Sequence, residues 1–116
     1  MAIRLVTGGD WKLTVLGADG PVMVQFWRAS CAVCKSMEKQ VEDLATEFAH
    51  EVPFFRVDCD AEADLVWAYE VMGTPTFIVF CRGEPVSRAY GDASLVELRE
   101  LVIDAEERCE RDSQRM

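Results

Sequence analysis

The sequence predicts an α/β fold, in which helices cover both faces of a central β-sheet. Short apolar runs that are typical of strands alternate along the chain with segments whose apolar residues recur every three or four positions, as on one face of a helix. Near the end, Arg82 and Gly83 form a turn between two consecutive strand-like runs and predict an antiparallel pair. The resulting order, βαβαβαββα, is typical of one sheet between two layers of helices.

The first half of the chain contains three predicted strands, at residues 3–6, 22–27 and 54–57. The second of these is apolar except for Gln25, which indicates a strand that is buried on both faces. Residues 11–16 are predicted to form a short helix, with Asp10 as its N-cap. Turn residues at 17–21 then separate this helix from the second strand.

A long helix is predicted from Cys31 to about residue 50, because Pro53 prevents its continuation. One face of this helix carries apolar side chains at helical spacing, namely Val33, Met37, Val41, Leu44 and Phe48. The lone histidine of the chain, His50, falls at the end of this helix and is expected to be solvated and not catalytic.

The second half of the chain begins with a helix that is predicted to stop near Gly73. The apolar face of this helix carries Leu65, Ala68, Tyr69 and Met72. Two strands follow, at residues 76–81 and 85–90. The last helix is predicted to begin after Ser94, because Ser94 and Glu97 have the spacing of a capping box. Its apolar positions are Leu95, Leu98, Leu101, Val102 and Ala105.

Length and charge restrict the class of protein. Residues 1–116 are interpreted as a single domain, with a charged C-terminal tail that frays over about 106–116. The chain has 12 basic and 21 acidic residues, and its net charge of −9 argues against nucleic-acid and anionic-membrane partners. No apolar run approaches the roughly 20 residues that span a membrane. The apolar stretch at the N-terminus is too short for a signal peptide, so we expect a cytoplasmic protein.

Two cysteines, Cys31 and Cys34, stand three positions apart where the second strand ends and the long helix begins. Unpaired backbone N–H groups and the positive end of the helix dipole stabilise a thiolate at a helix start. An ordinary thiol, with a pKa of about 8.5, is only roughly 3% ionised at pH 7. A helix-start cysteine with a pKa near 7 is about half ionised. Cys31 is therefore the expected attacking thiol, and Cys34, nearly one turn deeper, the expected resolving thiol.

Two other interpretations of the cysteine pair remain open, a metal half-site and a pair of inert thiols. A tetrahedral zinc site needs four ligands, and the sequence has no second C-x-x-C and no paired histidines. An iron–sulfur cluster that bridges two chains would also use such a pair. The remaining cysteines are expected to be reduced, as in most cytosolic chains. Cys81 and Cys109 are then ordinary small apolar residues, and Cys59 is at most a regulatory thiol.

With these elements in this order, residues 3–105 resemble the thioredoxin family. The resemblance rests on five stretches, FWRASCAVCK, VDCD, GTPTFIVF, RGE and YGDAS. It implies a mixed central sheet of about five strands, flanked by about four helices. Pro75 directly precedes a strand, which is an unusual place for proline. The resemblance implies that the bond between Thr74 and Pro75 is cis and faces the cysteines across a shallow groove.

The resemblance also implies which residues line that groove. By position they are Trp27, Ser30, Ala32, Val33, Cys59, Gly73, Thr74, Pro75, Tyr90 and Gly91. A substrate in extended conformation would pair with the backbone of Thr74, in the manner of an added strand.

Several positions depart from the family pattern. Ser30 replaces an exposed aromatic residue, and Val33 replaces a proline, which restores a backbone N–H. Gln25 stands where the family has a buried aspartate that accepts the proton of the resolving cysteine, and Arg56 replaces the lysine that often accompanies it. Gln25 and Arg56 are therefore interpreted as residues that tune the reactivity of the cysteines.

The sequence thus predicts a thiol–disulfide oxidoreductase that reduces protein or small-molecule disulfides. No metal and no organic cofactor is expected. The reductant would be a separate flavoprotein reductase or a low-molecular-weight thiol, and the protein is expected to be a monomer. The alternative is a thioredoxin-fold binding or chaperone-like module with weak or no redox turnover, because Gln25 cannot accept a proton and Ser30 lacks an aromatic ring.

Overall fold

In the computed structural model, residues 2–114 are described. Five strands form one sheet, namely β1 (Ile3–Leu5), β2 (Pro21–Trp27), β3 (Phe54–Asp58), β4 (Thr76–Cys81) and β5 (Glu84–Tyr90). Three α-helices accompany them, α1 (Ala32–Glu47), α2 (Ala63–Ala68) and α3 (Leu95–Gln114), together with a π-helical segment at Lys12–Leu16. The predicted order of strands and helices is confirmed. No helix in this part of the chain is long and apolar enough to cross a membrane.

The sheet is mixed, and its strand order is β1-β3-β2-β4-β5. β1, β3 and β2 run parallel, whereas β4 runs antiparallel to β2 and β5 antiparallel to β4. β2 lies at the centre of the sheet, which explains why its sequence is almost continuously apolar. The carboxyl ends of β2 and β3 lie at the same edge, because Trp27 pairs with Asp58 in register. This edge carries the N-terminus of α1 and therefore the two cysteines.

Both faces of the sheet are covered, as predicted. On one face, Met23, Phe77 and Val79 of the sheet pack with residues of α1 and α3, among them Met37, Leu44, Leu98 and Val102. On the other face, Val24, Phe26 and Phe80 pack with the π-helical segment and α2, through Trp11, Val15 and Leu65. Alternate residues of β2 thus enter opposite cores, and Gln25 shares the face of Met23, towards α1.

Helix α3 is longer than predicted. It continues to Gln114, so residues 106–114, for which the sequence predicts a fraying tail, are helical; residues 115 and 116 lie outside the described residues. Leu98, Val102, Ala105 and Cys109 follow one another at helical spacing, and all four side chains are buried. The apolar face of the helix therefore extends through the charged segment and holds it against the sheet.

Cys81 and Cys109 form a disulfide, with their Cα atoms 5.6 Å apart. The expectation that both are unpaired apolar residues is wrong, although both are buried. Cys81 ends β4 and pairs with Pro21 at the start of β2, and Cys109 lies near the end of α3. The bond therefore ties the helix to the sheet at the edge opposite the N-terminus of α1. Nη2 of Arg82 also donates a hydrogen bond of 3.1 Å to the carbonyl oxygen of Cys109.

Two predicted helix boundaries differ from the structure. Asp10 does not cap the π-helical segment with its side chain, because its carboxylate accepts hydrogen bonds from the backbone and hydroxyl of Thr7. α2 ends at Ala68, well before Gly73, and Glu70 adopts a positive φ of 54° that is incompatible with a continuing helix. At the start of α3, in contrast, Ser94 Oγ accepts a hydrogen bond from the N–H of Glu97, as the capping-box spacing predicts.

Candidate active site

Cys31 and Cys34 form a disulfide at the N-terminus of α1, with their Cα atoms 5.2 Å apart. Cys31 is the N-cap residue and is extended, with φ −84° and ψ 109°, so its side chain points across the start of the helix. Its sulfur accepts a hydrogen bond of 3.1 Å from the backbone N–H of Cys34. Cys31 is half-buried, whereas Cys34 is completely buried. Only the sulfur of Cys31 is therefore accessible to a large substrate.

The position of Cys31 favours its thiolate when the disulfide is reduced. The N–H of Cys34 is one of the donors that an α-helix leaves unpaired in its first turn, and it points at the sulfur of Cys31. The positive end of the helix dipole acts in the same direction. The sulfur of Cys34 lies inside the first turn and is removed from water, which disfavours its charged form. The two thiols consequently differ in both access and electrostatics.

The loop before β4 lies directly beside Cys31. The carbonyl oxygen of Thr74 is 3.4 Å from the sulfur of Cys31, and the Thr74–Pro75 peptide bond is cis. The hydroxyl of Thr76 donates a hydrogen bond of 2.7 Å to the carbonyl of Gly73. On the other side, the N–H of Gly91 donates one of 2.9 Å to the carbonyl of Pro75. The loop before β4 and the segment that begins at Gly91, after β5, thus meet beside the cysteine pair.

The other predicted groove residues differ in exposure. Ser30, Ala32 and Val33 surround Cys31 and are exposed, and Trp27 is half-buried at the end of β2. The guanidinium of Arg56 lies over the Trp27 ring, 5.2 Å from its centre. Trp27 therefore contributes to the wall beneath the active-site turn more than to an open surface.

Gln25 and Arg56, the two predicted tuning residues, lie next to each other. They are register partners on β2 and β3, and Nε of Arg56 donates a hydrogen bond of 3.3 Å to Oε1 of Gln25. Gln25 is 1% exposed, and its Nε2 has no hydrogen-bond partner among residues 2–114. Nη1 of Arg56 also lies 3.7 Å from Oε1 of Glu38, which stands one helical turn after Cys34. A polar cluster therefore lies between the sheet and the start of α1.

A cavity of about 900 Å³ adjoins the active-site turn. Arg28 links the two, since it lines the cavity and its carbonyl accepts a hydrogen bond from the N–H of Cys31. Cys59 and Tyr90, which the resemblance places near the groove, also line this cavity. Its rim carries two strongly exposed apolar side chains, Trp67 at 86% and Met72 at 90%.

The sequence does not predict Trp67 and Met72 at the site. Met72 follows the spacing of the α2 apolar face, and that spacing assigns it to the core. Because α2 ends at Ala68, Met72 lies on an irregular segment and faces solvent. The signal in the sequence that could have indicated them is the presence of two large apolar residues on either side of the end of α2.

Cys59 is buried and does not take part in a disulfide. Burial raises the pKa of its thiol, and the neighbouring charge of Arg28 only partly opposes this effect. Cys59 is therefore expected to be a poor nucleophile at neutral pH. The described part of the chain contains no cluster of three or more His, Cys, Asp or Glu side chains that could hold a metal ion.

Comparisons with known proteins agree with this geometry. The family model described as Thioredoxin matches residues 2–104. A thioredoxin of Mycobacterium tuberculosis (strain ATCC 25618 / H37Rv) is 36% identical over 99 residues, which cover 83% of this chain and 84% of the relative. A thioredoxin of Staphylococcus aureus (strain Mu50 / ATCC 700699) is 33% identical over 102 residues, covering 88% and 96% of the two chains.

A solved structure supports the same fold. The thioredoxin Mala s 13 of Malassezia sympodialis superposes with a TM-score of 0.81 at 23% identity, and the match covers 90% of both chains. The mixed five-stranded sheet predicted from the sequence is confirmed, and the superposition shows that the fold matches that of Mala s 13. Together with the disulfide between Cys31 and Cys34, these matches show that the chain belongs to the thioredoxin family and is a thiol–disulfide oxidoreductase.

Proposed function

We propose that this protein reduces disulfides with Cys31 as the attacking thiol and Cys34 as the resolving thiol. The thiolate of Cys31 attacks one substrate sulfur, the substrate disulfide breaks, and its other sulfur leaves as a thiolate. Cys34 then attacks the sulfur of Cys31, which closes the Cys31–Cys34 disulfide and releases the second substrate sulfur. Two electrons pass from the dithiol to the substrate. The observation that carries this assignment is the asymmetry in access, with Cys31 half-buried and Cys34 fully buried.

The substrate segment is proposed to bind in extended form beside Cys31. The half-buried Thr74 has its carbonyl 3.4 Å from the attacking sulfur, so a backbone N–H that pairs with Thr74 would bring the substrate disulfide to Cys31. The proposed groove comprises Trp27, Ser30, Ala32, Val33, Gly73, Thr74, Pro75 and Gly91. The adjoining cavity, with Trp67 and Met72 at its rim, would accept apolar side chains of a protein substrate.

A separate reductant is proposed to restore the dithiol. Disulfide substrates and a reductase partner are typical of this family. A relative from Mycobacterium leprae (strain TN) is named bifunctional thioredoxin reductase/thioredoxin, and this chain matches 19% of its length at 31% identity. That name supports a reductase as the electron donor. We propose a flavoprotein reductase, with a low-molecular-weight thiol as the other candidate. We further propose that residues 1–116 act as one cytoplasmic, monomeric domain without nucleic-acid or membrane partners.

Two observations favour a second candidate function, a binding or chaperone-like module. The buried polar cluster between the sheet and the start of α1 holds the amide of Gln25, which cannot accept a proton near neutral pH. Trp67 and Met72 offer an exposed apolar surface. The module would bind an unfolded, reduced and alkylated protein equally well with and without Cys31→Ser, and the wild type would show no disulfide reductase activity.

Trapping of intermediates tests the redox proposal. Cys34→Ser lacks the resolving thiol and should accumulate mixed disulfides between Cys31 and a disulfide substrate, which appear as reductant-sensitive bands on non-reducing gels. Cys31→Ser is the matched control, because its two remaining thiols, Cys34 and Cys59, are buried and should trap nothing. Mixed disulfides that form through Cys34 in Cys31→Ser, and not through Cys31 in Cys34→Ser, would overturn the assignment.

A further inference from the structure

A buried amide donor lies unpaired on the sheet face that the start of α1 covers. Gln25 is 1% exposed and projects from β2 towards α1, on the sheet face of Met23. The hydrogen bond from Arg56 to Oε1 fixes which end of the amide faces Arg56, so Nε2 faces away from it. That Nε2 group has no partner within the described residues. Buried donors are rarely left unpaired in folded proteins, so a partner in another state of the protein is expected.

Between the sheet and the start of α1, the sulfur of Cys34 is the group whose strength as a hydrogen-bond acceptor changes most between the oxidised and reduced proteins. Cys34 is fully buried in the first turn of α1, the helix that covers the sheet face of Gln25. In the disulfide its sulfur is a weak acceptor, but in the dithiol it can become a thiolate, which is a strong acceptor. An unpaired donor in the oxidised protein thus has a charged partner available in the reduced protein.

Resting on the proposed role of Cys34, we propose that Gln25 Nε2 donates a hydrogen bond to the Cys34 thiolate and that Arg56 orients this amide. Arg56 also places a positive charge in the same layer, and its side chain is only 12% exposed. The pair thereby favours the charged form of the resolving thiol. In this chain, a donor pair takes the place of a proton-accepting carboxylate beneath the cysteines.

The proton balance of the resolving step follows from this arrangement. The Cys34 thiol releases its proton to water, because neither an amide nor a guanidinium accepts one at neutral pH. The thiolate attacks the sulfur of Cys31 in the mixed disulfide, the Cys31–Cys34 bond forms, and the bond from Cys31 to the substrate breaks. The substrate sulfur leaves as a thiolate and takes a proton from solvent. Gln25 and Arg56 exchange no proton and act as positioning residues.

Other ionisable groups also surround Cys34. From α1 these are Cys31, Lys35 and Glu38, and from β3 they are Arg56 and Asp58; the residues of β2 and β4 on this sheet face, Met23, Trp27 and Phe77, carry no charge. Lys35 and Glu38 are exposed and Asp58 is half-buried, so water screens them more than it screens Arg56. Their contribution is constant when only Gln25 is changed. A comparison of Gln25 variants therefore isolates the amide.

The titration of Cys34 in the Cys31→Ser protein tests the proposal. The ¹³Cβ chemical shift of Cys34 is followed against pH, which separates this thiol from Cys59. Gln25→Leu keeps a similar volume and removes the donor, and it should raise the titration midpoint of Cys34 by about one pH unit, the equivalent of one hydrogen bond to a charged group. Met23→Leu, on the same strand and face, is the matched control and should leave the midpoint unchanged.

Arg56 variants provide an independent measurement if Gln25→Leu does not fold. Arg56→Leu should raise the midpoint of Cys34, and Arg56→Lys, which keeps the charge but not the planar donor, should raise it less. An unchanged or lower midpoint in Gln25→Leu or in Arg56→Leu would overturn the proposal. If Cys34→Ser still traps mixed disulfides in that case, the proposed function stands and only the role of Gln25 and Arg56 is refuted. If Cys34→Ser traps nothing, the proposed function itself fails.

Discussion

The disulfide between Cys81 and Cys109 joins the end of β4 to α3, and its removal should lower the free energy of unfolding. In the unfolded chain this bond closes a loop across a sequence separation of 28, which reduces the number of conformations available to that state. The perturbation is the double substitution Cys81→Ala/Cys109→Ala. Since both sulfurs are buried, the substitution also removes some apolar packing.

The loop length gives the expected magnitude. For 28 residues, the chain-entropy expression gives about 12 cal/mol/K, or about 3.6 kcal/mol at 25 °C. For a chain of 116 residues, the average unfolding entropy per residue converts 1 kcal/mol into about 4 °C of Tm. The link should therefore contribute about 15 °C to Tm. The last turns of α3, which Cys109 holds against the sheet, should be the first to lose protection from amide hydrogen exchange.

Urea unfolding of the Cys31→Ser/Cys34→Ser protein isolates the second disulfide, because no other disulfide then responds to a reductant. The protein is unfolded, treated or not treated with reductant, and refolded at each urea concentration. The reduced sample should lose about 3.6 kcal/mol of unfolding free energy. The same protein with Cys81→Ala/Cys109→Ala is the control and should not respond to the reductant. Equal unfolding free energies for the oxidised and reduced samples would refute the reasoning.

Four further outcomes are expected. In the fully reduced protein at mildly acidic pH, iodoacetamide should label Cys31 before Cys34, as measured by peptide mass spectrometry; equal rates would contradict the proposed roles. Because burial raises the pKa of Cys59, this thiol should stay unlabelled in the folded protein at pH 8, and labelling at the rate of a free thiol would disprove its burial. Gln25→Asp supplies a proton acceptor and should speed stopped-flow decay of the mixed disulfide at pH 7, by about the low end of the 10²–10⁴-fold range of general-base catalysis; an unchanged rate would show that another base already acts. Burial, followed by nearby carboxylates, raises the pKa of Glu106, so its ionised form disfavours folding at neutral pH, and this penalty disappears as the pH falls below the unfolded value of about 4.3. Glu106→Gln should therefore raise Tm at pH 7 but not at pH 3.5, and a gain that is equal at both pH values would argue against this cause.

Most of the fold could be predicted because it rests on local periodicity. The apolar spacing of Met37, Val41 and Leu44 predicts the buried face of α1, and the continuous apolar run of β4 predicts a strand with buried residues throughout. The turn at Arg82 and Gly83 predicts the antiparallel pair of β4 and β5, and Gly83 has the positive φ of 88° that favours glycine in such a turn. Each of these signals lies within a few residues of the element that it specifies.

The features that could not be predicted depend on contacts between distant positions or on weak local signals. The pairing of Cys81 with Cys109 crosses 28 positions, and the expectation of a reduced cytosolic chain argues against it. The continuation of α3 is visible in hindsight as a buried position at Cys109, within a segment of mostly charged residues. The early end of α2 depends on Glu70, a residue type that gives no warning of a positive φ.

The candidate site likewise has residues that a local pattern predicts and contacts that depend on distant positions. Cys31 and Cys34 could be identified from their spacing at a strand-to-helix junction, which is a local pattern. The role of Thr74 and Pro75 came from the resemblance, and the structure places the Thr74 carbonyl beside Cys31. The hydrogen bond between Arg56 and Gln25 could not be predicted, because it depends on the register of β2 and β3, and no single segment of the sequence specifies that register.

Turnover of a protein disulfide tests the central claim most directly. The rate of insulin-disulfide reduction, with dithiothreitol as the electron source, is measured for the wild type and Cys31→Ser. Cys81→Ala/Cys109→Ala serves as the control, because its active-site residues are unchanged. It is measured at a temperature well below its Tm. The account predicts turnover above the dithiothreitol background for the wild type and the control, and none for Cys31→Ser. A Cys31→Ser protein as active as the wild type, or a wild type with no activity above background, would contradict it.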